Sequence, residues 1–350
     1  MKSKRFTKTI LVIVTAVCLT GCTERSAEGS LTAQGMDAIQ ALDYQAALEY
    51  FQQAVNNGED DVPALRGAGM AYMGMAKYEE AVQVFDQALD YTDEKMPEAV
   101  RDIILYKASA QFRLKDYDGT IESCDQILEE EEVADAYFLR GASCLKLDYQ
   151  DRAREDFDQA AKLTPEDYTL YLNIYECYEA QNLSALGDEY LQTALNITPK
   201  GAEDYYCIGQ IYYYLEQYDQ AQNALISPVN EKYLPALGLM GRIYLAQNDY
   251  AHAKGMYQLI QQESGESAQT YNGLALCALA SGEYDAALEY IQKGLNMEGD
   301  AGKQELFFNE IVAYERKLDF VMARVKAEAY TSLYPTDEAG QKELEFLSTR

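Results

Sequence analysis

The chain has no tryptophan, one histidine and seven prolines in 350 residues. Each shortage removes a class of function. With His252 as the only imidazole, an HExxH zinc site cannot be built, and a Ser-His-Asp or Cys-His arrangement has one residue to draw on. His252 sits between Ala251 and Ala253, at the start of a predicted helix where side chains meet solvent. Without tryptophan the main sugar-stacking platform is missing, although 30 tyrosines replace it in part. Basic residues are scarce too, 29 against 58 acidic, a net charge of -29. Such a surface is repelled by nucleic-acid phosphates and by anionic lipid, so neither is expected as a partner. No segment after the first 22 residues is apolar over the roughly 20 positions that a membrane-spanning helix needs.

Other candidate chemistry reads as structure. Asp116, Asp118 and Glu129 to Glu132 are the densest acids, but DYDG lacks the spacing of a calcium loop and EEEE reads as a solvated helix end, so no metal is expected. Gly67, Gly69 and Gly74 follow no strand and no GK[ST], which makes them helix-contact positions rather than a phosphate loop. Among 58 acids, pairs suited to glycoside hydrolysis arise by chance, so no catalytic residue and no cofactor is expected. Cys18 and Cys22 belong to the N-terminal segment. Cys124, Cys144, Cys177, Cys207 and Cys277 are dispersed without CxxC spacing, as buried free thiols would be, with a Cys177 to Cys207 bridge as the alternative.

What is abundant is period. Ala47 in DYQAALEYFQQA and Ala81 in KYEEAVQVFDQA lie 34 residues apart, each with an aromatic four positions on and an alanine three further. That spacing packs two short helices closely and stacks them on the next pair. The schedule continues through Gly141, Ala153 and Phe157, through Gly209 and Ala221, through Gly241, Ala253 and Tyr257, and on to Ala287 and Ala323. It gives about nine units. The third is degenerate, with Thr120 and Cys124 where alanine and an aromatic are expected. Pro165, Pro199 and Pro335 stop second helices, and Pro228 should shorten the second helix of the sixth unit.

In these small and aromatic positions the chain resembles the tetratricopeptide repeat family over residues 31–335. The resemblance implies an all-α, right-handed solenoid of helix pairs whose first helices line a concave groove for a peptide or a partner's helix. A polar helix over Asp337 to Leu347, within residues 336–350, would cap the last apolar face. Extrapolating the family's groove positions selects Met36, Met70, Met73, Phe112, Phe138, Tyr206, Tyr213, Tyr214 and Phe308, with Arg242 beside them. Met and aromatic side chains there would form an adaptable binding face, or would fill a tightly wound superhelix. The Lys/Asn clamp with which some family members hold a C-terminal carboxylate is absent, since the matching pairs begin Thr32 and Met36, then Arg66 and Met70. Arg66, Arg113, Lys146 and Arg316 are also placed near the groove.

The N-terminus carries the second message. Lys2, Lys4, Arg5 and Lys8 precede an apolar stretch from Thr9 to Thr20, and Leu19-Thr20-Gly21-Cys22 follows. The stretch is too short to span a bilayer and reads as a signal peptide over residues 1–21. The tetrapeptide resembles the bacterial lipoprotein signal, which implies a diacylglyceryl group on Cys22 and fatty acyl (palmitate-type) anchoring of the new N-terminus. Residues 22–30 then form a polar tether. Loss of residues 1–21 removes four basic and no acidic residues, leaving a net charge of -33. The expectation is a non-enzymatic lipoprotein on the extracytoplasmic face of a bacterial cell membrane, a scaffold for envelope or secreted proteins and peptides. The alternatives are a nutrient- or glycan-binding lipoprotein and an activator of a cell-wall enzyme.

Overall fold

The computed structural model describes residues 29–93, 95–299 and 301–350. Among them are nineteen helices and no strand, in two compact units of residues 29–197 and 198–350. The first unit holds α1 (Leu31–Gln40), α2 (Tyr44–Asn56), α3 (Asp61–Gly74), α4 (Tyr78–Asp90) and α5 (Pro97–Arg113). It continues with α6 (Tyr117–Leu128), α7 (Ala134–Lys146), α8 (Gln150–Leu163), α9 (Tyr168–Glu179) and α10 (Ser184–Ala194). The second holds α11 (Ala202–Tyr214), α12 (Tyr218–Asn230), α13 (Leu234–Ala246), α14 (Tyr250–Ser264) and α15 (Ala268–Ser281). Its remaining helices are α16 (Tyr284–Leu295), α17 (Lys303–Arg316), α18 (Phe320–Leu333) and α19 (Glu338–Ser348). These are nine pairs and one terminal helix. Within each unit the first helices of successive pairs also touch one another, so they form a layer of their own.

The alanines and aromatics of the 34-residue schedule are the core. Ala47, Ala54, Ala81, Ala88, Ala153, Ala160, Ala221, Ala253, Ala287 and Ala323 are fully buried. Large rings fit among them because glycines face them. A Cβ added to Gly35 or Gly67 would lie 2.5 or 2.4 Å from Cε1 of Phe51, so this ring is held between its own first helix and that of the next pair. Gly69 stands in the same relation to Phe85, and Gly241 and Gly273 clasp Tyr257. At the end of the chain Gly340 of α19 meets Tyr330, and Leu347 joins the cluster of Ala323, Ala327 and Tyr330. The terminal helix thus takes the place of a further first helix and covers the ninth pair. The degenerate third unit keeps the pattern by substitution, with Thr120 and Cys124 both fully buried. The Thr120 hydroxyl donates to the Asp116 carbonyl at 2.8 Å, so its polarity is satisfied.

Acidic residues start many helices. Asp43, Asp60, Asp116, Asp167, Asp249, Asp319 and Asp337 each accept a backbone N–H of the first turn. Such caps contribute about 1 kcal/mol apiece, and a negative charge there suits the helix dipole. The turn before each second helix has its own signature. Leu42, Ala76, Lys115, Asp148, Asn182, Glu216, Asn248, Gly282 and Leu318 all have φ between 56° and 82°. In eight of these nine turns the left-handed residue is not glycine, at a cost of about 1–2 kcal/mol each. The turn is held by paired backbone bonds, as where Leu42 N donates to Ile39 O and Asp43 N to Ala38 O, both at 2.9 Å.

The structure departs from the sequence reading at Pro228. The helix α12 is not shortened; it has 13 residues and ends two beyond the proline. The ring lies in the last turn, where the missing N–H forfeits one bond, while Glu231 N still reaches Ser227 O at 3.0 Å and Tyr233 N reaches Pro228 O at 2.9 Å.

Charge is buried in few places. Arg140 bridges Asp125 at 2.5 Å and Asp156 at 2.6 Å, and Arg152 adds a contact to Asp125 at 3.1 Å. Asp156 is 3% exposed, so removing Arg140 would strand a buried carboxylate. Near the cap, burial and a hydrogen bond with Glu343 push the half-buried Glu315 carboxyl up to about 7, against the pull of Arg316 and Arg350.

Two outcomes follow from this packing. Gly69→Ala places a methyl 2.3 Å from the Phe85 ring and should destabilise the first unit by about 1–3 kcal/mol, read from denaturant unfolding. Gly201→Ala, whose Cβ meets nothing within 4 Å, should leave stability near wild type. Because the Glu315 pKa is raised on folding from its ordinary 4.5, the native state holds the proton more tightly, and stability should fall as pH rises from about 4.5 to 7. In Glu315→Gln the drop in melting temperature across that window should be smaller than in wild type; an equal drop would refute the assignment.

Candidate interaction surface

The groove residues selected from sequence fall into two groups, one in each unit. In the first unit, Met73 is 8% exposed within the Phe85 cluster and Phe138 is 5% exposed with its ring 5.9 Å from Phe157. Both are core, a correction to the sequence reading. A first helix is covered by its own partner and by the next pair, so residues one position from a groove site turn inward. Met36 is half-buried against Ala47 and Phe51, Met70 is half-buried, and Phe112 stands edge-on to Tyr117 at 5.5 Å. Nothing gathers these three into one cluster.

The second unit does gather its set. Tyr213 and Tyr214, in the last turn of α11, have ring centroids 6.0 Å apart, and Tyr218 lies 6.0 Å from Tyr213. The Arg242 guanidinium of α13 sits over the Tyr213 ring at 5.3 Å. Tyr206, about two turns earlier on α11, stands edge-on to Tyr233 at 5.5 Å. All of these side chains are half-buried, and Tyr206, Tyr213, Tyr218 and Tyr233 pack on a floor of Ala221, Leu225, Ala236 and Ile243. The result is an aromatic patch carrying one cation in an otherwise acidic chain. Phe308 is set apart, edge-on to Tyr330 at 5.5 Å. A guanidinium on an aromatic face contributes about 0.5–1 kcal/mol at exposed sites and more once a partner excludes water.

The other basic residues near the predicted groove have structural engagements. Arg66 approaches Asp102 at 3.7 Å, and Arg113 donates to the Tyr78 hydroxyl at 3.2 Å. His252 is exposed and its Nδ1 lies 2.7 Å from the Asp249 carboxylate that caps the same helix. Glu315 and Glu343 share a hydrogen bond, which is too close for the ~5–9 Å carboxyl spacing of glycosidases. Among the described residues no cluster of three or more His, Cys, Asp or Glu is placed to hold a metal ion. The five cysteines are free thiols. Burial pushes Cys177 and Cys277 up to about 12, which makes them poor nucleophiles at neutral pH. A cleft of about 340 Å³ opens between α14, α15 and α16, where Lys254 lies 6.0 Å from the Tyr290 ring centroid.

Sequence reasoning had no signal for the Arg140 network, whose members are 15 and 16 residues apart on three helices. It also missed Glu59, which reaches back across a pair to accept the backbone N–H groups of Leu31 at 3.0 Å and Thr32 at 3.1 Å.

Comparison with known proteins places this architecture. Tetratricopeptide repeat models match residues 32–90, 66–136, 134–167 and 239–303, more than half the chain. Hsp70-Hsp90 organizing protein 3 of Arabidopsis thaliana is 22% identical over 224 residues, 54% of this chain and 40% of that protein. The Hsp70-Hsp90 organizing protein of Triticum aestivum is 20% identical over 220 residues, 53% of this chain and 38% of that protein. The chain thus spans about two fifths of the length of these relatives. A monomeric mutant of IFIT1 solved with Gppp-AAAA superposes with a TM-score of 0.51 at 15% identity, over 89% of this chain and 79% of that one. At that identity the likeness concerns the fold alone. With its nine helix pairs and the repeat matches along more than half its length, the chain belongs to the tetratricopeptide repeat family, whose repeats indicate a scaffold for protein–protein interaction.

Proposed function

We propose that the chain is a lipid-anchored scaffold that holds envelope or secreted proteins at the extracytoplasmic face of a bacterial membrane, without enzymatic activity of its own. The observation that carries the binding half is the patch of Tyr206, Tyr213, Tyr214 and Arg242 on α11 and α13. Tyrosine and arginine are enriched among interface hot spots, tyrosine because it joins large contact area and a polar tip to a low entropy cost, arginine because its planar guanidinium stacks on rings and pairs with carboxylates. The favoured partner is a peptide or helix that brings an apolar face with a carboxylate for Arg242.

The anchoring half rests on sequence. The basic start, the apolar stretch and Leu19-Thr20-Gly21-Cys22 support lipidation at Cys22, in residues outside those the structure describes. Among the described residues no helix is long and apolar enough to cross a membrane. Two acyl chains would supply stable attachment, and tethering would raise the effective concentration of modest binding sites.

Each half has its own test. Wild type should incorporate labelled palmitate and fractionate with membranes, whereas Cys22→Ser should do neither; an unlabelled wild type would sink the anchor. For the patch, crosslinking in native membranes is compared between wild type and Tyr213→Ala with Tyr214→Ala, helical content being checked by circular dichroism. Loss of an aromatic hot spot of about 2 kcal/mol corresponds to roughly thirtyfold weaker capture of defined proteins. Equal capture by both forms would remove the patch from the proposal.

A further inference from the structure

In α2, α4, α6, α8, α12 and α16 the residue after the leading aromatic, and those four and eight further on, face solvent and are polar or charged. In α14, by contrast, the same positions are Ala251, Gly255 and Leu259, the last two half-buried. In α2 the three are Gln45, Glu49 and Gln53; in α4 Glu79, Gln83 and Gln87; in α16 Asp285, Glu289 and Lys293. In α6, α8 and α12 the same positions are again polar or charged. In α18 they are Val321, Val325 and Ala329. All three are exposed, Val321 at 68% and Val325 at 46%, and Leu333 continues the row at 57%.

The row is the true outer face of the helix. Steps of four residues advance about 40° around an α-helix, so Val321, Val325 and Ala329 form a narrow stripe. Buried Ala323, Ala327 and Tyr330 lie on the opposite side, against α17 and α19. Leu318, 74% exposed in the preceding turn, extends the apolar surface. Adjacent apolar surface of this kind on a soluble helix marks an interaction site.

We propose that this face of α18 is a homodimer interface, occupied by α18 of a second copy running antiparallel. Two features favour a second copy. The first is charge. In a chain with 58 acidic and 29 basic residues, copies repel one another, and the contact is cheapest where basic residues prevail. The helix α18 has Arg324 and Lys326, the latter paired with Glu310 of α17 at 2.8 Å, against the single acid Glu328; of the nine second helices, only α18 has more basic than acidic residues of its own. The second is self-complementarity. A two-fold axis beside residue 327 sets Val325 against Ala329 of the second copy and Val321 against Leu333, a large side chain facing a smaller or adaptable one at each step. The same axis brings Arg324 beside Glu328 of the second copy. These two, 47% and 60% exposed, now make only a loose contact of 3.8 Å within one helix and are free to exchange partners. A single helix face offers less than the ~800 Å² per partner of a standard stable interface, so the dimer should be weak.

The test uses the full chain. Mild oxidation of the V325C/A329C double variant should yield a covalent dimer, while E289C on the polar face of α16 should yield none under the same conditions. Adding Val321→Glu should abolish the crosslink with unchanged circular dichroism and melting temperature. Arg324→Glu should lower the crosslinking yield several-fold, and R324E/E328R should restore it. Absence of a covalent dimer, or a dimer indifferent to Val321→Glu, would overturn the proposal. It would be equally overturned if the face instead took a bilayer, seen as monomers that bind phosphatidylcholine vesicles through Val321 and Val325. Valine-dependent capture of a different protein by monomers would overturn it as well.

Discussion

Both units depend on one contact, an aromatic ring of a second helix pressed against glycine on the first helices around it. Phe51 is held by Gly35 and Gly67, and Tyr257 by Gly241 and Gly273. The contact does two things at once: it closes a pair on itself and fixes the next pair at a set distance. Close packing of this sort has little slack, because even one added methyl must displace ring or backbone. It explains why the small residues, more than the apolar ones, keep the 34-residue phase. It also explains the terminal helix, since Gly340 gives Tyr330 the surface that a following pair would otherwise provide.

Around this frame the chain arranges an excess of negative charge in two ways. Part of it starts helices, where aspartate accepts first-turn N–H groups and meets the positive end of the helix dipole. Much of the rest lies on the outward positions of the second helices. Where charge is buried it is paired, as in Arg140 with Asp125 and Asp156, and in Lys326 with Glu310 at 2.8 Å. Against this background a valine stripe on α18 and an arginine over tyrosines on α11 and α13 are departures from the general rule. Both lie in the unit of residues 198–350.

The helix pairs could be read from the chain because the constraint that builds them is local and periodic: Ala47, Phe51 and Ala54 recur as Ala81, Phe85 and Ala88. Three things could not be read. The left-handed turn residues carry no common side chain, since backbone bonds hold Leu42, Lys115 and Leu318 in a conformation that glycine would take more readily. Inner and outer positions of a first helix differ by one residue, and Met73 and Phe138 fell on the inner side because neighbours cover that helix from two directions. The Tyr213 and Arg242 contact joins separate helices whose relation depends on the stacking itself. The sequence did contain the stripe of α18, since Val321, Val325 and Ala329 stand in register with polar residues of α2, α4, α6, α8, α12 and α16. It becomes informative only once those positions are known to face outward.

The ring shared between consecutive pairs also restricts how this array could change in length over evolution. Because Phe51 sits between Gly35 of its own first helix and Gly67 of the next, a deletion that removes one whole period keeps a first helix in front of the ring, whereas loss of half a period would set a second helix there. Duplication and loss should therefore be tolerated in multiples of a complete pair, with breakpoints free to fall anywhere within the period. In the irregular third unit side chains and spacing both change, since Thr120 lies 39 residues after Ala81 rather than 34, and Thr120 and Cys124 are still fully buried.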